Sequence, residues 1–213
     1  MNSKSILFVD GGNRVTVEVE VEFKALASSN EGVTIAGEID TSGIVAKGSE
    51  DLDSNQISGS AIGETHVMRT KGIIGATDKK SASVTSVDGS NNDHATYSIE
   101  VEVTAFGQDV YISNDVATAI TYQLENSSGS AIGDTGTVIL SSSAREQGSY
   151  FRISEGDTET ITIEVTYKPG VSLTVARLQL LTIEFAESAI SPNQSWDAIP
   201  SNDYETATKT IVD

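Results

Sequence analysis

Two stretches of the chain alternate apolar and polar residues almost one for one: Val15-Thr16-Val17-Glu18-Val19-Glu20-Val21-Glu22-Phe23 and Tyr97-Ser98-Ile99-Glu100-Val101-Glu102-Val103-Thr104-Ala105-Phe106. A period of two puts every apolar side chain of an extended backbone on one face and every polar one on the other, whereas a helix needs a period near 3.6. Such segments are half-buried β-strands, and they need a second apolar layer to cover them. The pattern therefore predicts an all-β protein built as a β-sandwich, with immunoglobulin-like architecture and two sandwiches in tandem.

The rest of the sequence agrees with that class. Further strands are predicted at Ser5–Val9, Arg14–Leu26, Val33–Glu38, Gly43–Ala46, Thr65–Arg69, Gly72–Ala76 and Ser81–Val87, then at Ala95–Ala105, Asp109–Ser113, Thr118–Leu124, Thr137–Leu140, Tyr150–Ile153, Thr158–Tyr167, Leu173–Phe185 and Tyr204–Val212. Turn chemistry separates them: Asp10-Gly11-Gly12-Asn13, Asp88-Gly89-Ser90-Asn91-Asn92-Asp93 and Lys168-Pro169-Gly170, where Gly and Asn accept positive φ at little cost. Many short strands with such spacing suit a sandwich or barrel. Gly59-Ser60-Ala61-Ile62-Gly63-Glu64-Thr65 recurs as Gly129-Ser130-Ala131-Ile132-Gly133-Asp134-Thr135, which reads either as a duplicated domain or as convergence of two hairpins within one larger sandwich. The duplicated reading divides the chain into an N-terminal β-domain, residues 1–92, and a C-terminal immunoglobulin-like sandwich, residues 93–213.

Charge narrows the partners. The 213 residues hold 31 acidic and 13 basic side chains, a net charge of −18. Residues 1–92 carry 13 and 8 of these, and residues 93–213 carry 18 and 5. Such a surface repels phosphate backbones and anionic membranes, so no nucleic-acid partner is expected. There is no cysteine, which excludes disulfides and thiolate metal sites. Residues Met1–Leu7 lack the apolar core of a secretory signal, and no apolar run approaches the roughly 20 residues of a spanning helix. No membrane insertion is expected in this segment; the chain is either cytosolic or a form lacking its export segment.

Candidate sites are few. Asp51, Asp53 and Asn55 place oxygen ligands at alternate positions, a spacing that calcium loops use, with Glu50 or Glu64 to assist. The EF-hand pattern then fails at Gln56 and Ile62. Asp88, Asn92 and Asp93 form a second calcium candidate at the domain junction. The bland reading of both is a solvated acidic loop. His66 and His94 lack zinc-site spacing. Glu18, Glu20 and Glu22, and likewise Glu100 and Glu102, are paired carboxylates that glycoside hydrolysis could use, yet they sit where an alternating strand keeps its solvated charges. No nucleophile motif, phosphate loop or dinucleotide fingerprint occurs, so no enzyme is expected. Trp196, the one tryptophan, lies between Pro192 and Pro200. It reads first as a plug over a sheet edge and second as a ligand platform with Tyr204 or Tyr150. Ile6-Leu7-Phe8-Val9 reads either as a first strand hairpinned onto Arg14–Leu26 or as a self-assembly strand donated to a neighbouring subunit's open sheet edge.

The run Tyr97–Ser113, followed by Tyr150–Thr158 and Arg177–Phe185, resembles the C-terminal β-sandwich of large predicted cell-surface proteins from uncultivated small-genome bacteria, some of them described as peptidoglycan-binding. The resemblance covers about residues 93–213 and implies an extracellular structural module; it transfers no functional residues. The expectation is an extracellular, non-catalytic subunit or module of a bacterial surface layer, filament or adhesin, associating with itself or with other cell-surface proteins. A carbohydrate- or protein-binding module and a viral or phage structural protein are the alternatives.

Overall fold

The computed structural model describes residues 16, 32–40, 58–86, 93–170 and 173–212. In chain order its strands are β1 (Thr34–Ile35), β2 (Glu38–Ile39), β3 (Ala61–Ile62), β4 (His66–Val67), β5 (Gly72–Thr85), β6 (His94–Phe106) and β7 (Val110–Ser113), then β8 (Ile120–Glu125), β9 (Thr137–Ser142), β10 (Arg145–Gln147), β11 (Tyr150–Ile153), β12 (Thr158–Tyr167), β13 (Leu173–Phe185), β14 (Gln194–Asp197) and β15 (Lys209–Val212). One helical turn, α1 (Val116–Ala119), and a 3₁₀ turn at Ser201–Tyr204 interrupt them. The protein is all-β. The strands expected at Ser5–Val9 and Gly43–Ala46, and nearly all of Arg14–Leu26, lie outside the described residues.

Two sheets face each other. One has the order β5-β6-β12-β9; in the other β13 is central, with β8 on one side and β14 and β15 on the other. Each of these sheets has four strands, and the two make a β-sandwich. All described pairings are antiparallel. The division expected between residues 92 and 93 falls between β5 and β6, which pair from Gly72↔Phe106 to Thr85↔His94. The sandwich thus takes in Gly72–Thr85 as well as the chain after residue 93.

The alternation of β6 determines the packing. Ala95, Tyr97, Ile99, Val101, Val103 and Ala105 are all fully buried, while Glu100 on the opposite face meets Lys79 of β5 at 3.2 Å. Ile161, Ile163 and Val165 of β12 continue the layer, and Ala176, Leu178, Leu180, Ile183 and Phe185 of β13 close it from the other sheet. The inward positions of β13 change parity between Leu180 and Ile183, at a register shift opposite β8. The two successive leucines, Leu180-Leu181, mark that bulge, where an extra residue turns the alternation over. A polar tie crosses the apolar layer: the Tyr97 hydroxyl donates to the Ala176 carbonyl at 2.9 Å.

Both neighbours of β13 are broken strands. On one side the partners are β8 and then the Tyr111↔Ala186 bridge from β7, with α1 between them. Asp115 caps α1 by accepting from the Ala117 N–H, a standard use of a short acidic side chain at a helix start. On the other side β14, Glu205, Thr206 and β15 run in turn along β13. Between β14 and this return the chain leaves at Ala198 and rejoins at Glu205. The β7-β11-β10 sheet flanks the sandwich. Asp109 holds it by accepting from Arg152 and from the Glu155 N–H. The Glu155 N–H first, and Arg152 second, keep the Asp109 carboxyl below its ordinary range. Gly107 makes the β6–β7 turn with φ +74; a Cβ there would stand 2.5 Å from the Thr70 carbonyl oxygen.

Away from the core, Arg177 on β13 lies between two carboxylates, at 2.8 Å from buried Glu125 and 2.8 Å from Glu205. Gln123 bridges Glu125 and Gln179. An ion pair beneath the surface is costly to break from one side, because the remaining charge keeps its desolvation cost. Arg177→Met is therefore expected to destabilise by about 3 kcal/mol, against about 1 kcal/mol or less for Glu205→Gln, whose partner keeps Glu125; urea titrations of the two variants measure this.

Burial first, and Tyr167 second, push the Tyr97 phenol up to about 12. The unfolded value is near 10, so the folded chain holds this proton more tightly. Its contribution to stability is whole below about pH 10 and is lost as pH rises through about 12. Tyr97→Phe is expected to lower the unfolding free energy at neutral pH by about 1 kcal/mol, read as a lower denaturant midpoint with an unchanged slope, and to flatten the decline between pH 10 and 12.

Candidate interaction surfaces

The residues singled out in the sequence are scattered. Asp51, Asp53, Asn55, Asp88 and Asn92 lie outside the described residues, as do Ile6, Leu7, Phe8 and Val9. Asp93 immediately precedes β6, His94 opens it, and His66 begins β4. Among the described residues no group of three or more His, Asp or Glu side chains is placed to hold a metal ion, and no helix is long and apolar enough to cross a membrane.

Trp196 sits on β14, opposite Ile183 of β13, and its ring lies against Gly75 of β5. A Cβ on Gly75 would fall 2.6 Å from Cζ2 and 2.7 Å from Cη2 of the indole. The glycine, in mid-strand where it otherwise weakens a sheet, is what admits the ring. Tyr204 meets Trp196 edge-on, with centroids 5.2 Å apart and planes at 81°. It is buried, and its hydroxyl donates to the Gly75 carbonyl at 3.1 Å. Burial pushes the Tyr204 phenol above its ordinary range. Trp196 and Tyr204 do not form the flat exposed pair that a stacking platform requires; Tyr204 braces the indole from below.

Beside the indole runs a shallow groove of about 230 Å³, lined by His66, Arg69, Ile74, Phe185, Trp196 and Asp197 among others. Its rim is tied down. Arg69 donates to Gln194 at 2.8 Å, Gln194 donates to Glu187 at 2.9 Å, and Lys71 donates to Glu187 at 2.7 Å. Lys71 is the main reason the Glu187 carboxyl stays below its ordinary range. These bonds fasten the segment entering β5 to the β13–β14 hairpin.

The two edges of the β5-β6-β12-β9 sheet differ. The β5 edge is closed by the excursion between β14 and β15. Thr77 donates to the Asp203 carbonyl at 2.6 Å, Lys80 to the Asn202 carbonyl at 3.1 Å, and Tyr204 to Gly75. A register shift between Thr77 and Lys79 bends the same strand. Bulges and lysines are the usual means by which a sheet edge is kept from pairing with another chain. The β9 edge has neither. Its residues, Thr137-Val138-Ile139-Leu140-Ser141-Ser142, pair only with β12 among the described residues, and Ile139 is 59% exposed.

Sequence reasoning missed β14 and the docking of the Pro200–Tyr204 turn on β5, because Gln194–Asp197 is too short to show a period and its partner lies far back in the chain. The usable signal was Gly75 within an otherwise regular strand. The openness of β9 was legible in part as a strand without charge. Compared with known proteins, the chain matches no family model, no curated protein and no solved structure.

Gly75→Ala is expected to cost about 1–3 kcal/mol, the range for overpacking a filled site, and to shift the emission of the single tryptophan to longer wavelength as the ring is displaced. Gly170→Ala, where a Cβ meets nothing within 4 Å, is the control and is expected to stay within about 0.5 kcal/mol. Thermal unfolding followed by fluorescence measures both.

Proposed function

We propose that the chain is a non-catalytic structural module of a bacterial cell surface that associates, with itself or with other surface proteins, through its sheet edges. The observation that supports this reading best is the contrast between the edges of one sheet: β5 is capped by hydrogen bonds from the Asn202–Tyr204 turn and bent by a bulge, whereas β9 ends its sheet with an uncharged, partly apolar strand. An unprotected edge is a template for another strand. The acidic, cysteine-free composition and the resemblance of residues 93–213 to surface-protein sandwiches set the context. Calcium is the cation that the acidic stretches Asp51–Asn55 and Asp88–Asp93 would take, and the apolar sequence Ile6–Val9, outside the described residues, is the further segment proposed for pairing.

The test is mass by light scattering over a concentration series, once with chelator and once with millimolar calcium. The expected result is growth beyond the 22.4 kDa monomer, larger when calcium is present. A monomer at every concentration under both conditions sinks the reading.

A further inference from the structure

We propose that β9 pairs antiparallel with β9 of a second copy about a two-fold axis at Ile139, joining two four-stranded sheets into one of eight strands. The inference rests on the reading above and names its contact.

The geometry begins with the ladder. β9 and β12 run in register from Ser142↔Ile161 to Thr137↔Thr166, and just beyond it the Ser143 N–H donates to the Thr160 carbonyl. Antiparallel ladders alternate between bonded and non-bonded pairs, so Thr137, Ile139, Ser141 and Ser143 turn their backbone groups toward β12. Val138, Leu140 and Ser142 turn theirs to the open side. α1 lies near β9, but among the described residues no backbone hydrogen bond runs from it to that strand. The outward N–H and C=O groups therefore stand at strand spacing, which an extended chain satisfies in series.

Charge argues for a second copy as the occupant. Two chains of net charge −18 repel over most of their surface, yet from Thr135 to Ala144 no residue is charged. The sequence of the strand is also self-complementary. With the axis at Ile139, Val138 and Leu140 form bonded pairs with the partner's Leu140 and the partner's Val138. Both side chains are half-buried against the core, so the pairing extends the apolar layer across the junction. Thr137 faces the partner's Ser141. Ile139, 59% exposed on the outer face, meets the partner's Ile139 in a non-bonded pair, the closer of the two antiparallel spacings at about 4.5 Å between Cα atoms. That contact covers an apolar side chain that otherwise stands in water beside Glu164.

The chain contains no cysteine, so one introduced thiol reports directly on the contact. Ile139→Cys lies at a separation that a disulfide accepts. Ile74→Cys, on the opposite edge strand and equally exposed at 59%, is the control. Under mild oxidation Ile139→Cys is expected to give a covalent dimer at least tenfold faster than Ile74→Cys. Ile139→Lys places like charges directly opposite each other, and is expected to weaken self-association at least tenfold while leaving thermal unfolding unchanged at dilutions where both proteins are monomeric, since in the monomer the side chain points into water. If the protein assembles but Ile139→Lys assembles equally well and Ile139→Cys crosslinks no faster than the control, the β9 contact is overturned and the assembly reading stands. If the unmodified protein and both cysteine variants under reducing conditions stay monomeric at every concentration, both are overturned.

Discussion

One buried face of one strand governs this structure. β6 turns six successive inward residues, from Ala95 to Ala105, wholly out of water, and no flat sheet can do that alone. At roughly 25 cal/mol per Å² of apolar surface, the burial favours any arrangement that lays a second apolar layer over β6, and β13 supplies it. The Tyr97–Ala176 hydrogen bond then sets how the two layers align, because a buried hydroxyl without a partner is costly. β5 and β12 pair along β6 over nearly its whole length, so the position of the entire first sheet follows from that of its central strand.

The second sheet is organised differently. β13 is continuous, but both of its neighbours are interrupted, by α1 on one side and by the Ser201–Tyr204 turn on the other. Each interruption takes backbone out of the sheet and must find it new partners. The Ser201–Tyr204 turn finds them on β5, through Thr77, Lys80 and Tyr204, and so closes one edge of the opposite sheet. Among the described residues no comparable turn closes β9. The asymmetry between these two edges among the described residues is thus a consequence of where β13's broken partner returns, and it is the feature on which the proposed self-association rests.

The sequence was legible where a strand is long and half-buried. Tyr150–Ile153, Thr158–Tyr167 and Leu173–Phe185 have the bounds that alternation predicts, and β6 differs only at its ends. It was less legible where strands are short or face both ways. Gly72–Ala76 and Ser81–Val87 are parts of one strand, Gly72–Thr85, continuous through a bulge. The Tyr204–Val212 segment divides into a turn and β15. Both copies of the Gly-Ser-Ala-Ile-Gly heptad do form edge pairings at their Ala-Ile step, Ala61 with Ile39 and Ala131 with Glu125, a local preference that carries no information about which domain holds them. Trp196 stood out as the single tryptophan, but its seat on Gly75 is set by a residue more than a hundred positions away.

What the sequence by itself determined was the class of fold and the faces of its main strands, because both follow from a period of two read over neighbouring residues. The polar character of the exposed faces and the lack of charge along β9 were equally its own. Only the tertiary structure decided which strands neighbour which, that β5 belongs to the same sheet as β6, and which edge of that sheet is covered. Those facts depend on hydrogen bonds and close contacts between residues distant in the chain, and a local pattern specifies that a strand needs partners without specifying which partners it finds.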